Sequence, residues 1–119
     1  MSTLNVANIT DGTDTVETGY VVNGSAKAWV NFKGTSTVTL FDSLNVSSID
    51  DNGTGDYDVN YTNSFANGNS SIVGMSNWNG VCTADTYNAG YHQLLTRNGD
   101  TTVKADRGTV TTATFGDLA

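Results

Sequence analysis

The chain has 119 residues, enough for one compact domain and too few for two of ordinary size. Threonine, asparagine, glycine and serine make up nearly half of it and proline is absent, yet two Trp, five Tyr and four Phe remain, which excludes a typical disordered segment. The formal charge of −7 disfavours nucleic acid and anionic membrane surfaces as partners, because both demand basic residues.

Apolar and polar residues alternate along most of the chain, and Gly or Asn-Gly interrupts them at short intervals. This pattern predicts short antiparallel strands joined by tight turns, and no helix. The predicted strands are residues 3–9, 19–23, 26–32, 36–41, 44–49, 56–62, 71–76, 91–96, 101–105 and 109–115. Ten such strands indicate a single all-β domain over residues 1–119, an antiparallel β-sandwich that is jelly-roll-like or of Greek-key type.

The alternation also predicts which side chains face the core. In the third strand the inward set is Ala28, Val30 and Phe32, and in the sixth it is Tyr57, Val59 and Tyr61. Trp29 then lies on an outward face, so we expect a subunit contact or another segment to cover it. The predicted core is small, which favours an oligomer whose neighbouring copies supply buried surface.

Residues 1–19 are predicted to form an N-terminal docking or strand-exchange segment. Its apolar side chains Leu4, Val6 and Ile9 are, with Trp29, the candidates for an oligomer interface.

The hairpin from Ile49 to Tyr57 is the clearest local prediction, because residues 50–55 supply turn formers and two glycines. The same residues resemble the opening of a calcium loop, in which alternate oxygens surround the ion. Position twelve of such a loop would be Tyr61, which has no carboxylate. We therefore favour a turn over a metal site, and we predict neither a metal nor a cofactor.

Residues 77–91 show no periodicity and are predicted to form a long aromatic loop. The partner-binding or receptor-binding candidates in this segment are Trp78, Tyr87, Tyr91, Asn77 and Asn79. Aromatic rings can stack on sugars or anchor a protein, and amides supply adaptable hydrogen bonds. The alternative is that these rings cover a thin core.

Catalytic chemistry has little support in this sequence. Cys82 and His92 could form a thiol and its base, but their spacing does not favour the pair and no orienting carboxylate is marked. We predict no catalytic residue and no enzyme. The chain has no apolar run long enough to span a bilayer and no secretion signal at Met1, so we expect synthesis and assembly in a cytoplasm.

Two segments carry a resemblance to a known group of proteins. "SAKAWVNFKGTSTV" and "SLNVSSIDDNGTGDYDVNY" resemble a module of small virion proteins from marine and freshwater bacteriophages, of the kind found in cyanophages and described as tail-fibre-like. The resemblance begins near Leu4 and fades after Phe65. It departs from the expected pattern at Lys33, where Asn is usual, and at Phe41, where a basic residue is common.

The resemblance implies a structural protein of the virion, made in the bacterial host. It implies a tail-fibre or fibre-like appendage, assembled as a homotrimer with other virion proteins and mediating host attachment through a surface glycan. A capsid-decorating (cement) protein is the first alternative. A carbohydrate-binding module that uses Trp78 and Tyr87 is the second.

Overall fold

The computed structural model describes residues 1–119 and consists almost entirely of strands. The strands are β1 (Asn8–Thr10), β2 (Thr15–Glu17), β3 (Ala28–Lys33), β4 (Thr39–Leu44), β5 (Val46–Gly53), β6 (Asp56–Tyr61), β7 (Ser71–Ser76), β8 (Gly80–Tyr87), β9 (Tyr91–Asn98) and β10 (Val110–Phe115). One helix, α1 (Thr18–Gly24), lies between β2 and β3. With seven residues it is too short to cross a membrane, and there is no other helix.

Two four-stranded sheets pack face to face. The first sheet has the order β4-β3-β10-β7, the second has the order β5-β6-β9-β8, and every pairing is antiparallel. The small hairpin β1-β2 stands outside both sheets. The predicted antiparallel β-sandwich is confirmed, and the trimeric state stays a prediction.

The core lies between the sheets and follows the alternation of β3 and β6. Both inward sets predicted from the sequence are buried: Ala28, Val30, Phe32, Tyr57, Val59 and Tyr61. The rings of Phe32 and Tyr57 meet edge to face with their centroids 5.2 Å apart, which joins the two sheets. Each large buried side chain contributes about 1.5–3 kcal/mol, so this alternation is the main source of stability.

A buried hydroxyl ties the sheets to the chain segment before β10. The Tyr57 hydroxyl donates to the Asp106 carboxylate (2.7 Å), and the Gly34 carbonyl, 3.0 Å away, shares its single hydrogen. A Cβ at Gly34 would overlap that hydroxyl, so only glycine fits there. Burial, together with the neighbouring Asp106 carboxylate, raises the pKa of Tyr57 well above its ordinary value.

The hairpin between β5 and β6 is confirmed, with Gly53 opposite Asp56 at its end. Gly53 and Gly55 have φ angles of 134° and 63°, which glycine adopts at little cost. The Gly55 N–H donates to Asp106 (2.8 Å), so one carboxylate holds both the turn and Tyr57.

Four predicted strands are wrong in whole or part. Residues 36–38 of the predicted strand 36–41 lie outside β4, which begins at Thr39, because Ser36 has a φ of 57° that interrupts the extended backbone. Residues 19–23 lie in α1 instead of a strand, and residues 3–9 contribute only the start of β1. Residues 101–105 form a turn with one isolated bridge at Lys104, because Thr102 has a φ of 57° that interrupts the extended backbone. Residues 18–24 pair with no strand of either sheet, so their backbone N–H and C=O groups hydrogen-bond within the helical turns of α1.

The predicted loop at residues 77–91 is also wrong. Most of it is the edge strand β8, which pairs with β9. Its inward positions hold the small Cys82 and Ala84, so the apolar contrast that marks other strands is weak here. This strand places the candidate residues far apart, as described below.

Candidate functional site

The outer face of the first sheet carries an apolar band that crosses all four strands. In register, Leu44, Trp29, Ala113 and Val73 stand side by side on β4, β3, β10 and β7. Met75 lies next to this row on β7 and is 74% exposed, while Trp29 is 37% exposed. We call the five residues the Trp29 face. Because Ala113 is small, the band is hollowed between Trp29 and β7, and this hollow is lined mainly by apolar atoms.

The outer face of the second sheet is polar and largely occupied by its own hydrogen bonds. Asp50 lies opposite Asp58, and Asn60 donates to Asp50 (3.0 Å). Asp56 accepts from Lys104 (2.9 Å) and from Gln93, and the Lys104 bond is the main reason that the pKa of Asp56 lies below its ordinary value. The sandwich is therefore two-faced, and the Trp29 face is the side suited to a protein contact.

The N-terminal segment leaves its apolar side chains exposed. From residue 1 to residue 24 no residue is buried, and Leu4 is 83% exposed. The segment is closed on itself, because the Thr18 N–H donates to the Ala7 carbonyl (2.9 Å) and its hydroxyl donates to the Val6 carbonyl (2.9 Å). Leu4, Val6 and Ile9 are thus exposed as an interface requires, although they lie on the segment and not beside Trp29. We call residues 1–24 the arm.

Trp78 occupies a corner between β7 and β8 and is 84% exposed. Its φ of 60° is a left-handed conformation that costs a non-glycine residue about 1–2 kcal/mol. Neighbouring bonds hold the corner: Asn77 accepts from the Thr109 N–H (3.3 Å) and Asn79 donates to Asp100 (2.8 Å). A large aromatic side chain is thus presented to solvent on a braced backbone.

The other two aromatic candidates lie at the opposite end of β8. Tyr87 ends that strand and Tyr91 begins β9. The steps from Gly80 to Tyr87 span about 23 Å at 3.3 Å per residue, so these tyrosines cannot contact a small ligand held by Trp78. The predicted aromatic site is therefore divided: Trp78, Asn77 and Asn79 form one corner, and Tyr87 and Tyr91 lie at the other end.

Arg107 supports the Trp78 corner, a role that no pattern in the sequence predicts. It is buried, and its Nη2 donates to the Arg97 carbonyl (3.2 Å) and to the Asn98 side chain. Its Nε has no partner, and no carboxylate pairs with it. Gly80 makes room for the guanidinium, because a Cβ there would lie 3.0 Å from Nε.

His92 is fully buried between the sheets, where its Nδ1 lies 2.7 Å from the Tyr61 hydroxyl and its Nε2 has no partner. Burial lowers its pKa to about 4. Cys82 stands opposite Thr96, four residues along β9 from His92, and burial raises the pKa of its thiol. The two side chains are therefore not arranged as a thiol and its base.

The acidic turn of the β5-β6 hairpin uses its oxygens locally, since Asp51 accepts the Gly53 N–H (3.0 Å). No group of three or more His, Cys, Asp or Glu side chains is placed to hold a metal ion.

Comparison of the chain with known proteins gave no match to a protein-family model, a curated protein or a solved structure.

Proposed function

We propose that this protein is a structural component of a bacteriophage particle, a tail-fibre or fibre-like appendage that assembles through the Trp29 face. The observation that carries the proposal is the two-faced sandwich, with an apolar band across one sheet and hydrogen-bonded polar side chains across the other. Exposed apolar bands of this kind are typical of protein contacts. The assignment to a bacteriophage particle is based on the resemblance of residues 4–65 to tail-fibre-like virion proteins.

The partners we propose are further copies of the chain, as a homotrimer, and other virion proteins. A net charge of −7 and the scarcity of basic residues argue against contacts with nucleic acid. The protein would be made in the host cytoplasm and reside on the virion.

Host attachment, in this proposal, belongs to the Trp78 corner. An exposed ring on a braced backbone gives contact area at low entropy cost, which suits stacking on a sugar of the host surface. Tyr87 and Tyr91 would serve a separate surface at the other end of β8. The same corner supports the alternative of a carbohydrate-binding module.

Labelling of intact phage particles tests the particle assignment. Antibody against the isolated protein should decorate the tail of each particle at a few positions. Decoration spread over the whole shell would identify a capsid-decorating protein instead, and no decoration of any phage would overturn the virion assignment.

Substitution of the two exposed tryptophans tests the assembly surface. Trp29→Ser should weaken self-association at least tenfold in sedimentation velocity, whereas Trp78→Ser, the matched control at the corner, should leave it unchanged. Equal effects of both variants, or none, would contradict the assignment of the Trp29 face.

A glycan array separates attachment from assembly. The wild-type protein should bind a bacterial surface polysaccharide and Trp78→Ala should not, while both sediment alike. Silence of the wild-type protein across bacterial polysaccharides would remove both the glycan contact and the carbohydrate-binding alternative.

A further inference from the structure

The arm is made of elements that are unstable alone. Its hairpin has two strands of three residues, and α1 has seven residues with no side-chain cap and none buried. Isolated two-stranded hairpins and helices shorter than about 12 residues are marginal in water. These elements therefore depend on a contact beyond the arm itself.

The sandwich of the same chain does not supply that contact. No residue of the arm is buried, and β1, β2 and α1 pack mainly against one another instead of against a sheet. The molecule as a whole is elongated and measures 50 × 29 × 24 Å. At the base of the arm, Lys27 donates from its backbone to the Thr114 carbonyl (2.8 Å) and from Nζ to the Ser25 and Val22 carbonyls at the end of α1.

The exposed apolar area of the arm and of the Trp29 face fits a subunit contact. Besides Met1, seven large apolar side chains are exposed on the arm and four on the face: Leu4, Val6, Ile9, Val16, Tyr20, Val21 and Val22, then Trp29, Leu44, Val73 and Met75. At roughly 150–250 Å² for a fully exposed large side chain, they present about 1,000 Å² per chain. In a closed trimer each arm would cover the Trp29 face of the next copy. Each contact would then bury about 1,000 Å² of apolar side chain, near the lower limit for a specific interface, and the three contacts together about 3,000 Å².

Charge bears on the orientation of this contact and not on its strength. The arm carries Asp11, Asp14 and Glu17 and no lysine or arginine. The outward side of the first sheet carries one cation, Lys33 on β3, which has no ion-pair partner, and one anion, Asp42, which stands opposite Asn31 on β4. A pair between Lys33 and a carboxylate of the arm would therefore fix orientation more than affinity.

From these observations we infer that the arm of one copy lies across the Trp29 face of a second copy. The arm covers the apolar band, and the band gives β1, β2 and α1 the buried surface that they lack in their own chain. The inference rests on the self-assembly in the proposed function and adds which two surfaces meet. It does not depend on the particle to which the oligomer belongs.

Photo-crosslinking between isotopically distinct copies tests this arrangement. A benzophenone amino acid replaces Tyr20 in ¹⁵N-labelled protein, which is mixed with unlabelled wild-type protein, irradiated and digested for mass spectrometry. We expect cross-links from the labelled arm to unlabelled peptides containing residues 71–76 or 110–115. The control places the benzophenone at Asp58, on the outer face of the second sheet, and should give at least tenfold fewer.

Three outcomes would overturn the inference. Cross-links within one chain would show an arm folded over its own sheet, cross-links to the second sheet would place the arm on the wrong face, and an absence of cross-links would show no contact.

A substitution provides an independent measurement. Met75→Asp should raise the dissociation constant of the oligomer at least tenfold, with Ser48→Asp on the other sheet as the matched control. Equal dissociation constants for the two variants would also refute the inference. Particle labelling can fail while the cross-links form, so failure of the virion assignment is distinguishable from failure of this contact.

Discussion

Stability should fall with pH below about 6.5 because of one side chain, His92. Its imidazole is fully buried, with one nitrogen bonded to Tyr61 and the other without a partner. Protonation in the folded state would place an unpaired charge between the sheets, so burial lowers the pKa of His92 from 6.5 to about 4. The unfolded chain therefore binds the proton first as the pH falls.

The magnitude follows from these two pKa values. A folded-state pKa below the unfolded value gives stability that is complete above about pH 6.5 and is lost progressively toward pH 4. Proton linkage predicts a loss of about 2–3 kcal/mol between pH 7 and pH 4.5. For a domain whose total stability is on the order of 5–15 kcal/mol, this loss is large.

Urea unfolding followed by fluorescence at pH 7.0, 6.0, 5.0 and 4.5 measures the effect. The control is His92→Gln, which keeps an acceptor near the Tyr61 hydroxyl but does not titrate. The carboxylates are common to both proteins, so the difference between the two pH profiles isolates His92. Parallel profiles, with equal losses between pH 7 and pH 4.5, would refute the reasoning.

Three further predictions concern single contacts and can be measured by urea unfolding. Tyr57→Phe should cost about 2–3 kcal/mol because it removes the donor at the Gly34 carbonyl and one donor of the Asp106 carboxylate, which keeps the Gly55 N–H. Tyr20→Phe on the exposed arm should cost under about 0.5 kcal/mol, and similar costs for the two variants would contradict the role of the hydroxyl. Gly55→Ala should destabilise the protein by about 3 kcal/mol, because its Cβ would meet the Ala105 nitrogen at 2.7 Å. The control Gly12→Ala, which has a positive φ but open space around it, should cost about 1 kcal/mol. Equal losses in the two variants would exclude the clash at Gly55. Trp78→Gly should be about 1 kcal/mol more stable than Trp78→Ala because it relieves the left-handed backbone, and a glycine variant no more stable than the alanine variant would show that the corner is unstrained.

The sandwich could be predicted because its signal is local. Ala28, Val30 and Phe32 alternate with polar or outward residues within six positions, and the side chains that point inward follow from that period alone. The β5-β6 hairpin was predictable for the same reason, since its turn residues are adjacent in the sequence.

The parts that could not be predicted depend on contacts between distant residues. Asp106 meets Tyr57 across 49 positions, and Arg107 is buried by strands that no local pattern brings together. Residues 1–19 were predicted as a docking segment, but the helix at residues 18–24 was not predicted. Tyr20, Val21 and Val22 favour strands, and only the absence of a pairing edge leaves them helical. The prediction of an aromatic loop at residues 77–91 was wrong because the inward positions of β8 hold small residues, which weaken the alternation of apolar and polar side chains.

The mass of the protein in solution tests the central claim most directly, namely that the apolar sheet face and the arm join copies of this chain. Sedimentation equilibrium at micromolar concentration should give a multiple of the 12.5 kDa chain mass, three times that mass for the trimer we propose. A mass of 12.5 kDa at every concentration, from a folded protein, would contradict the account.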